Sequence, residues 1–124
     1  MSNENPPKIE LADPEPLQDI FVDQDGNEFS VARLVDAAKS YPVFNAPLAC
    51  INLNQKAFDE YNIIEIAFHI KKVLDADLGM PIIFNWSGSL ADGRHRVIKA
   101  IVEGKSTIKA VRIGHYMAPC KEGS

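Results

Sequence analysis

No stretch of this 124-residue chain is apolar for long enough to cross a bilayer, a crossing that takes about 20 residues in a helix. No internal repeat is visible, which excludes solenoid and propeller architectures. The first residues, Met1 to Pro7, carry neither the basic stretch nor the apolar stretch of a secretory signal. Cysteine is scarce: Cys50 and Cys120 lie far apart and match no metal or redox spacing. The expectation is a buried thiol at Cys50, a tail thiol at Cys120 and no disulfide. These absences together point to a cytoplasmic protein with no membrane partner.

What is present describes a globular chain. Hydrophobic residues make up 46% and charged residues 24%, enough for one modest core and too little chain for two ordinary domains. The net charge of -4 is unevenly spread. Residues 1–38 carry nine acids against two bases, whereas residues 93–124 carry seven bases against two acids. An acidic front and a basic back suggest an anionic ligand near the C-terminal third, or attraction between the two ends.

Four prolines and several acids mark residues 1–16 as a mobile arm. Residues 17–116 read as one domain, and residues 117–124 as a frayed tail. Within the domain, Ile20 to Val22 reads as a strand and Asp25-Gly26 as a turn. Ser30 suits a helix N-cap, and the helical spacing of Val31, Leu34, Val35 and Ala38 predicts a helix over 31–39. Leu48 to Leu53 reads as a strand. A second helix is expected over 63–76, with Ile63, Ile66, Ala67, Ile70, Val73 and Leu74 as its buried stripe and Glu65 and Lys72 opposite. Strands follow at 81–85 and 89–91. A third helix is expected over 94–103 and a last strand over 107–113. The sum is an α/β (α+β) fold, a small mixed sheet with packed helices.

The informative segment is Leu90-Ala-Asp-Gly-Arg-His-Arg96. Gly93 permits a backbone conformation that other residues resist. The first N–H groups of a helix lack internal partners and sit at the positive end of its dipole. Arg94, His95 and Arg96 cluster there, so free amides, two guanidinium groups and an imidazole make a cradle for phosphate. Asp92 could cap the helix, orient an arginine or His95, or assist a metal or a proton transfer. Asp92 and His95 are the catalytic candidates. A helix regular from its first residue would place Arg94 on the buried side with Val97, Ile98, Ile101 and Val102, and Arg96 opposite with Lys99 and Glu103; the cheaper arrangement starts the helix a residue later and lets Arg94 escape into the entry turn.

Pro81-Ile-Ile-Phe-Asn85, the segment Leu90 to Ala100, Gly104 and Ile108-Lys-Ala-Val-Arg112 together resemble the ParB/sulfiredoxin-like fold. The resemblance is clear over residues 81–113. It implies that the helix start meets a nucleotide phosphate through Gly93, Arg94, His95 and Arg96, with CTP or ATP and Mg²⁺ as the cofactors. Sulfiredoxins carry a cysteine directly before His-Arg, where this chain has Arg94, so sulfiredoxin chemistry is not expected. ParB boxes read Gly-Glu-Arg-Arg, and the glutamate is absent after Gly93. The free-serine kinases of the group read Asp-Gly-His-His-Arg, close to Asp92–Arg96. Their catalytic acid lies upstream, where Asp59, Glu60 and Glu65 are candidates.

Three functional readings follow. The first is a nucleotide- or phosphate-binding domain, with nucleotide hydrolysis or phosphotransfer open to it. The second is a catalytically inactive module that binds a protein partner. The third is a nucleic-acid binder or nuclease using Lys99, Lys105, Lys109 and Arg112, which the acidic whole disfavours. His69 reads as a core-boundary residue, His115 as solvated, and Trp86 as a cover for the sheet edge or a platform for a base.

Overall fold

The computed structural model describes residues 6–11, 19–58 and 62–123. Strands β1 (Ile20–Val22) and β2 (Glu28–Ser30) form an antiparallel hairpin. Helix α1 (Val31–Ala38) follows at once, with Leu34 and Ala38 buried. Strand β3 (Phe44–Pro47) runs into a short 3-10 turn at Leu48–Cys50. Then come α2 (Ile63–Asp75), β4 (Ile82–Phe84), β5 (Leu90–Asp92), α3 (Arg94–Val102) and β6 (Thr107–Arg112). The main sheet has the order β3-β6-β4-β5. Only the β4–β6 pair is parallel, and α3 lies on the path between β5 and β6. The protein is therefore a small α+β fold with a mixed sheet and packed helices.

The sheet separates two apolar clusters, and adjacent residues of one strand point into different ones. Ile82, Leu90 and Ala110 pack with Val97 and Ala100 of α3 and with Leu48 and Ile51. Ile83, Ala91 and Val111 pack with Phe21 and Phe29 of the hairpin and with Leu34 and Ala38 of α1. This is the period-2 alternation of a strand whose two faces are both covered.

Several elements differ from the sequence expectation. The strand expected at Leu48–Leu53 lies earlier, at Phe44–Pro47, where Pro47 is tolerated because β3 is an edge strand. Leu48 and Ile51 are both buried, and their spacing of three suits the 3-10 turn that carries Leu48 inward. Strand β2 has no periodicity to announce it in three residues. Ser30 occupies the N-cap position of α1 without a side-chain capping bond. Cys50 is exposed rather than buried. The tail does not fray: Glu28 N–H donates to the Lys121 carbonyl at 2.8 Å, Cys120 N–H donates to the Glu28 carbonyl at 2.7 Å, and Gly123 N–H donates to Asn27 Oδ1 at 2.7 Å. Met117 packs on the hairpin-side cluster. Of the arm expected over residues 1–16, residues 6–11 have no regular secondary structure and the others lie outside the described residues.

The largest departure concerns α2. Most of its expected buried stripe faces outward: Ile63 is 87% exposed, Ile70 54% and Leu74 70%, Ala67 and Val73 are half-buried, and no residue of the helix is fully buried. The side turned to the rest of the molecule carries Glu65, Phe68, His69 and Lys72. Lys99 of α3 holds the end of α2, donating from Nζ to the carbonyls of Leu74 (3.0 Å) and Ala76 (2.6 Å). A cation belongs at that end, where unpaired carbonyls and the dipole are negative. Among the described residues, no helix is long and apolar enough to cross a membrane.

Candidate functional site

The short turn between β4 and β5 is built on a buried amide. Asn85, 1% exposed, accepts at Oδ1 from Ser87 N–H (3.0 Å), Ser87 Oγ–H (2.9 Å) and Ser89 N–H (2.9 Å). The turn delivers β5 directly into Gly93, which begins α3 with φ +109°. A Cβ there would lie 2.5 Å from Ile82 Cγ2 and 2.9 Å from Ile82 Cβ. Glycine is thus required both by the left-handed backbone and by contact with the neighbouring strand. The first helical bond runs from Val97 N–H to the Gly93 carbonyl at 3.0 Å, and no side chain caps the start of α3.

The two arginines exchange the places that a helix regular from Arg94 would give them, although α3 does begin at Arg94. Arg96 is the enclosed one, its side chain 16% exposed. It donates to Asp92 Oδ2 at 2.9 Å and to the carbonyls of Pro81 (2.6 Å) and Met80 (3.2 Å). Asp92 therefore neither caps the helix nor stands free as a metal ligand; it anchors Arg96 across one turn of α3. The buried face of α3 is Val97 and Ala100, while Ile101 and Val102 are exposed. The face rotates this way because the α3 start is fixed by Gly93 and Arg96 against β4. Arg94 is half-exposed and makes no ion pair or hydrogen bond among the described residues.

Arg94 lines a cleft of about 1000 Å³ that collects Asp92 to Arg96, the inward face of α2, Phe58, and Asp19 and Ile20 of the hairpin side. His95 meets His69 there, with His69 Nδ1 and His95 Nε2 3.0 Å apart. The ring centroids are 5.2 Å apart and the planes 20° from parallel. The centroid separation exceeds the N···N distance by about two ring radii, so the two nitrogens face each other along one line. A shared proton fits between them; a metal held by both does not without turning a ring. Phe58 stacks over His69 at 3.8 Å and over His95 at 4.9 Å. Burial, then the neighbouring His69 and Lys72, push His95 down to about 4, against the opposing pull of Asp92. At neutral pH His95 is a neutral imidazole, a hydrogen-bond partner of His69 rather than a cation.

Of the residues named from sequence, Asp92, Gly93, Arg94, His95 and Arg96 all border the cleft. His69 belongs there too, not at a core boundary, and Phe58, Phe68 and Lys72 were not anticipated. Their signal lay in the spacing of Glu65, Phe68, His69 and Lys72, one polar-aromatic face of a helix. Glu65 is in the cleft wall; Asp59 and Glu60 lie outside the described residues. Trp86 packs edge-on against Phe29 at 5.2 Å, away from the cleft. His115 is paired with the Tyr41 hydroxyl. Of the proposed nucleic-acid contacts, Lys99 is engaged with α2 and Arg112 donates to the Trp86 carbonyl at 2.7 Å. No group of three or more His, Cys, Asp or Glu that could hold a metal ion occurs among the described residues. Comparison with family models, curated proteins and solved structures gives no match.

Proposed function

We propose that this protein binds a phosphate-bearing ligand, a nucleotide in the first instance, at the start of α3. The observation that carries the reading is the N-terminus of α3, which has no side-chain cap, opening into a cleft of about 1000 Å³ beside Arg94, which makes no ion pair or hydrogen bond among the described residues. Amide N–H groups and the helix dipole favour an anion there. Phe58 and Phe68 give the same cleft apolar walls suited to the flat body of a nucleotide. The resemblance of residues 81–113 to ParB/sulfiredoxin-like proteins supports the same ligand class. Arg94 is the charged contact in this reading. Arg96 supports the site from behind, through Asp92 and the carbonyls of β4's leading residues. His95, neutral and hydrogen-bonded to His69, adds no charge to the site, and its lowered basicity suits it to positioning a ligand or water rather than to taking up a proton. Asp92 is committed to Arg96, so Mg²⁺ would arrive held by the nucleotide's own phosphates.

Calorimetric titration with phosphate, CTP, ATP and ADP, with and without Mg²⁺, tests the reading. Heat from at least one ligand, lost in Arg94→Ala, is expected. No heat from any of them overturns it.

A second reading, an interaction module without catalysis, is favoured by the exposed apolar stripe of α2. It requires that Arg94→Ala leave binding to a partner intact, whereas changing Ile70 and Leu74 to charged residues abolishes it.

A further inference from the structure

We propose that Glu10 and Leu11 form a built-in competitor for this cleft, an acidic strap that occupies part of it until an anion displaces it. The proposal rests on the anion reading of the cleft. Residues Pro6 to Glu10 are exposed, but Leu11 is half-buried. Glu10 and Leu11 both line the cleft that holds Arg94 and Lys72. Leu11 also borders a smaller depression of about 390 Å³ with Phe68, Lys72 and His95. An apolar side chain in one depression with Phe68, and a carboxylate in a cleft that also holds Arg94 and Lys72, present the same two chemistries that the ligand would bring. Residues 6–11 take part in no strand or helix.

Of the acids of the front, Glu10 and Asp19 line the cleft, and of the bases of the C-terminal third, Arg94 and Arg96 do. A tethered group acts at an effective concentration on the order of millimolar. A contact of modest strength therefore lowers the apparent affinity for a free anion several-fold, and remains displaceable.

The strap has a signature that needs no ligand. His95 is held at about 4 chiefly by burial, and Leu11 borders the same depression as His95. The charged and titratable groups facing His95 are His69 and Lys72 from α2, and Asp92 and Arg96 from its own side. None of these changes when Leu11 is replaced.

The test uses the full chain carrying Leu11→Ser, and separately Glu10→Gln. The His95 ring is titrated by NMR without ligand, and inorganic pyrophosphate is titrated by calorimetry. In Leu11→Ser the His95 midpoint is expected to rise by half a unit or more, and pyrophosphate to bind at least threefold tighter. In Glu10→Gln the affinity is expected to rise with little change at His95. An unmoved His95 together with unchanged affinity in Leu11→Ser overturns the strap. If no variant takes up pyrophosphate, the anion reading fails, and the His95 midpoint alone decides the strap. A midpoint that depends on protein concentration overturns the intramolecular form, because the occupant then comes from a second copy. Leu11 lies outside the strands, helices and both core clusters, so the variant keeps its far-UV spectrum.

Discussion

Gly93 joins two requirements at one atom. Its φ of +109° and the 2.5 Å approach to Ile82 leave a methyl group nowhere to go. Left-handed strain costs about 1–3 kcal/mol in a non-glycine residue and overpacking about as much again. Gly93→Ala is therefore expected to lose roughly 2–6 kcal/mol in urea unfolding. The neighbouring arginines should separate cleanly by assay. Arg96→Ala breaks an ion pair and two carbonyl contacts and should cost about 1.5–3 kcal/mol, the range for hydrogen bonds to charged groups. Arg96→Lys should recover little of this, because an ammonium cannot reproduce the planar fork that spans Asp92 and Pro81. Arg94→Ala should leave stability within about 0.5 kcal/mol while weakening anion binding at least tenfold. Equal losses of stability in both alanine variants would contradict the division of labour.

At the scale of elements, α2 decides how the sequence should have been read. Its apolar period was legible, and the helix lies where that period puts it. Which face turns inward was not legible, because periodicity defines a stripe and does not say what the stripe meets. The inward face is instead set by His69 meeting His95, by Phe58 above them, and by Lys99 at the helix end. His95 and Lys99 are far from α2 in sequence, and Phe58 lies in the loop before it, outside its helical period. The same limit applies to α3, where the wheel placed Arg94 inside although the contacts of Gly93 and Arg96 turn it out. The outward orientation has a measurable consequence. Leu74 is 70% exposed, so Leu74→Ala should change stability by no more than about 0.5 kcal/mol. A Leu74 buried in the core would lose about 2–5 kcal/mol. Chemical denaturation distinguishes the two outcomes without any knowledge of ligand.

For the molecule as a whole, the strands and helices after Pro81 were legible because each begins or ends at a glycine, a proline or a change of period. The tail's return to Glu28 and the assembly of the cleft were not, since both join segments from opposite ends of the chain. That assembly makes stability depend on pH. In the folded protein His95 is held at about 4, against 6.5 for the free side chain. Above pH 6.5 it is neutral in both states and stability does not depend on it. As pH falls from 6.5 toward 4 the unfolded chain takes up a proton at His95 that the folded one refuses, so unfolding is favoured increasingly. Below about 4 both states are protonated and this contribution levels off. The melting temperature should therefore decline across pH 6.5 to 4, with up to one additional proton bound on unfolding. His95→Asn should flatten that part of the profile, because the amide does not titrate. Carboxylates ordinarily titrate near 4, which makes the upper half of the window, pH 6.5 to 5, the one to measure. A wild-type profile there that His95→Asn leaves unchanged would show that the cleft does not exclude the proton from His95. It would also remove the burial on which the neutral imidazole depends.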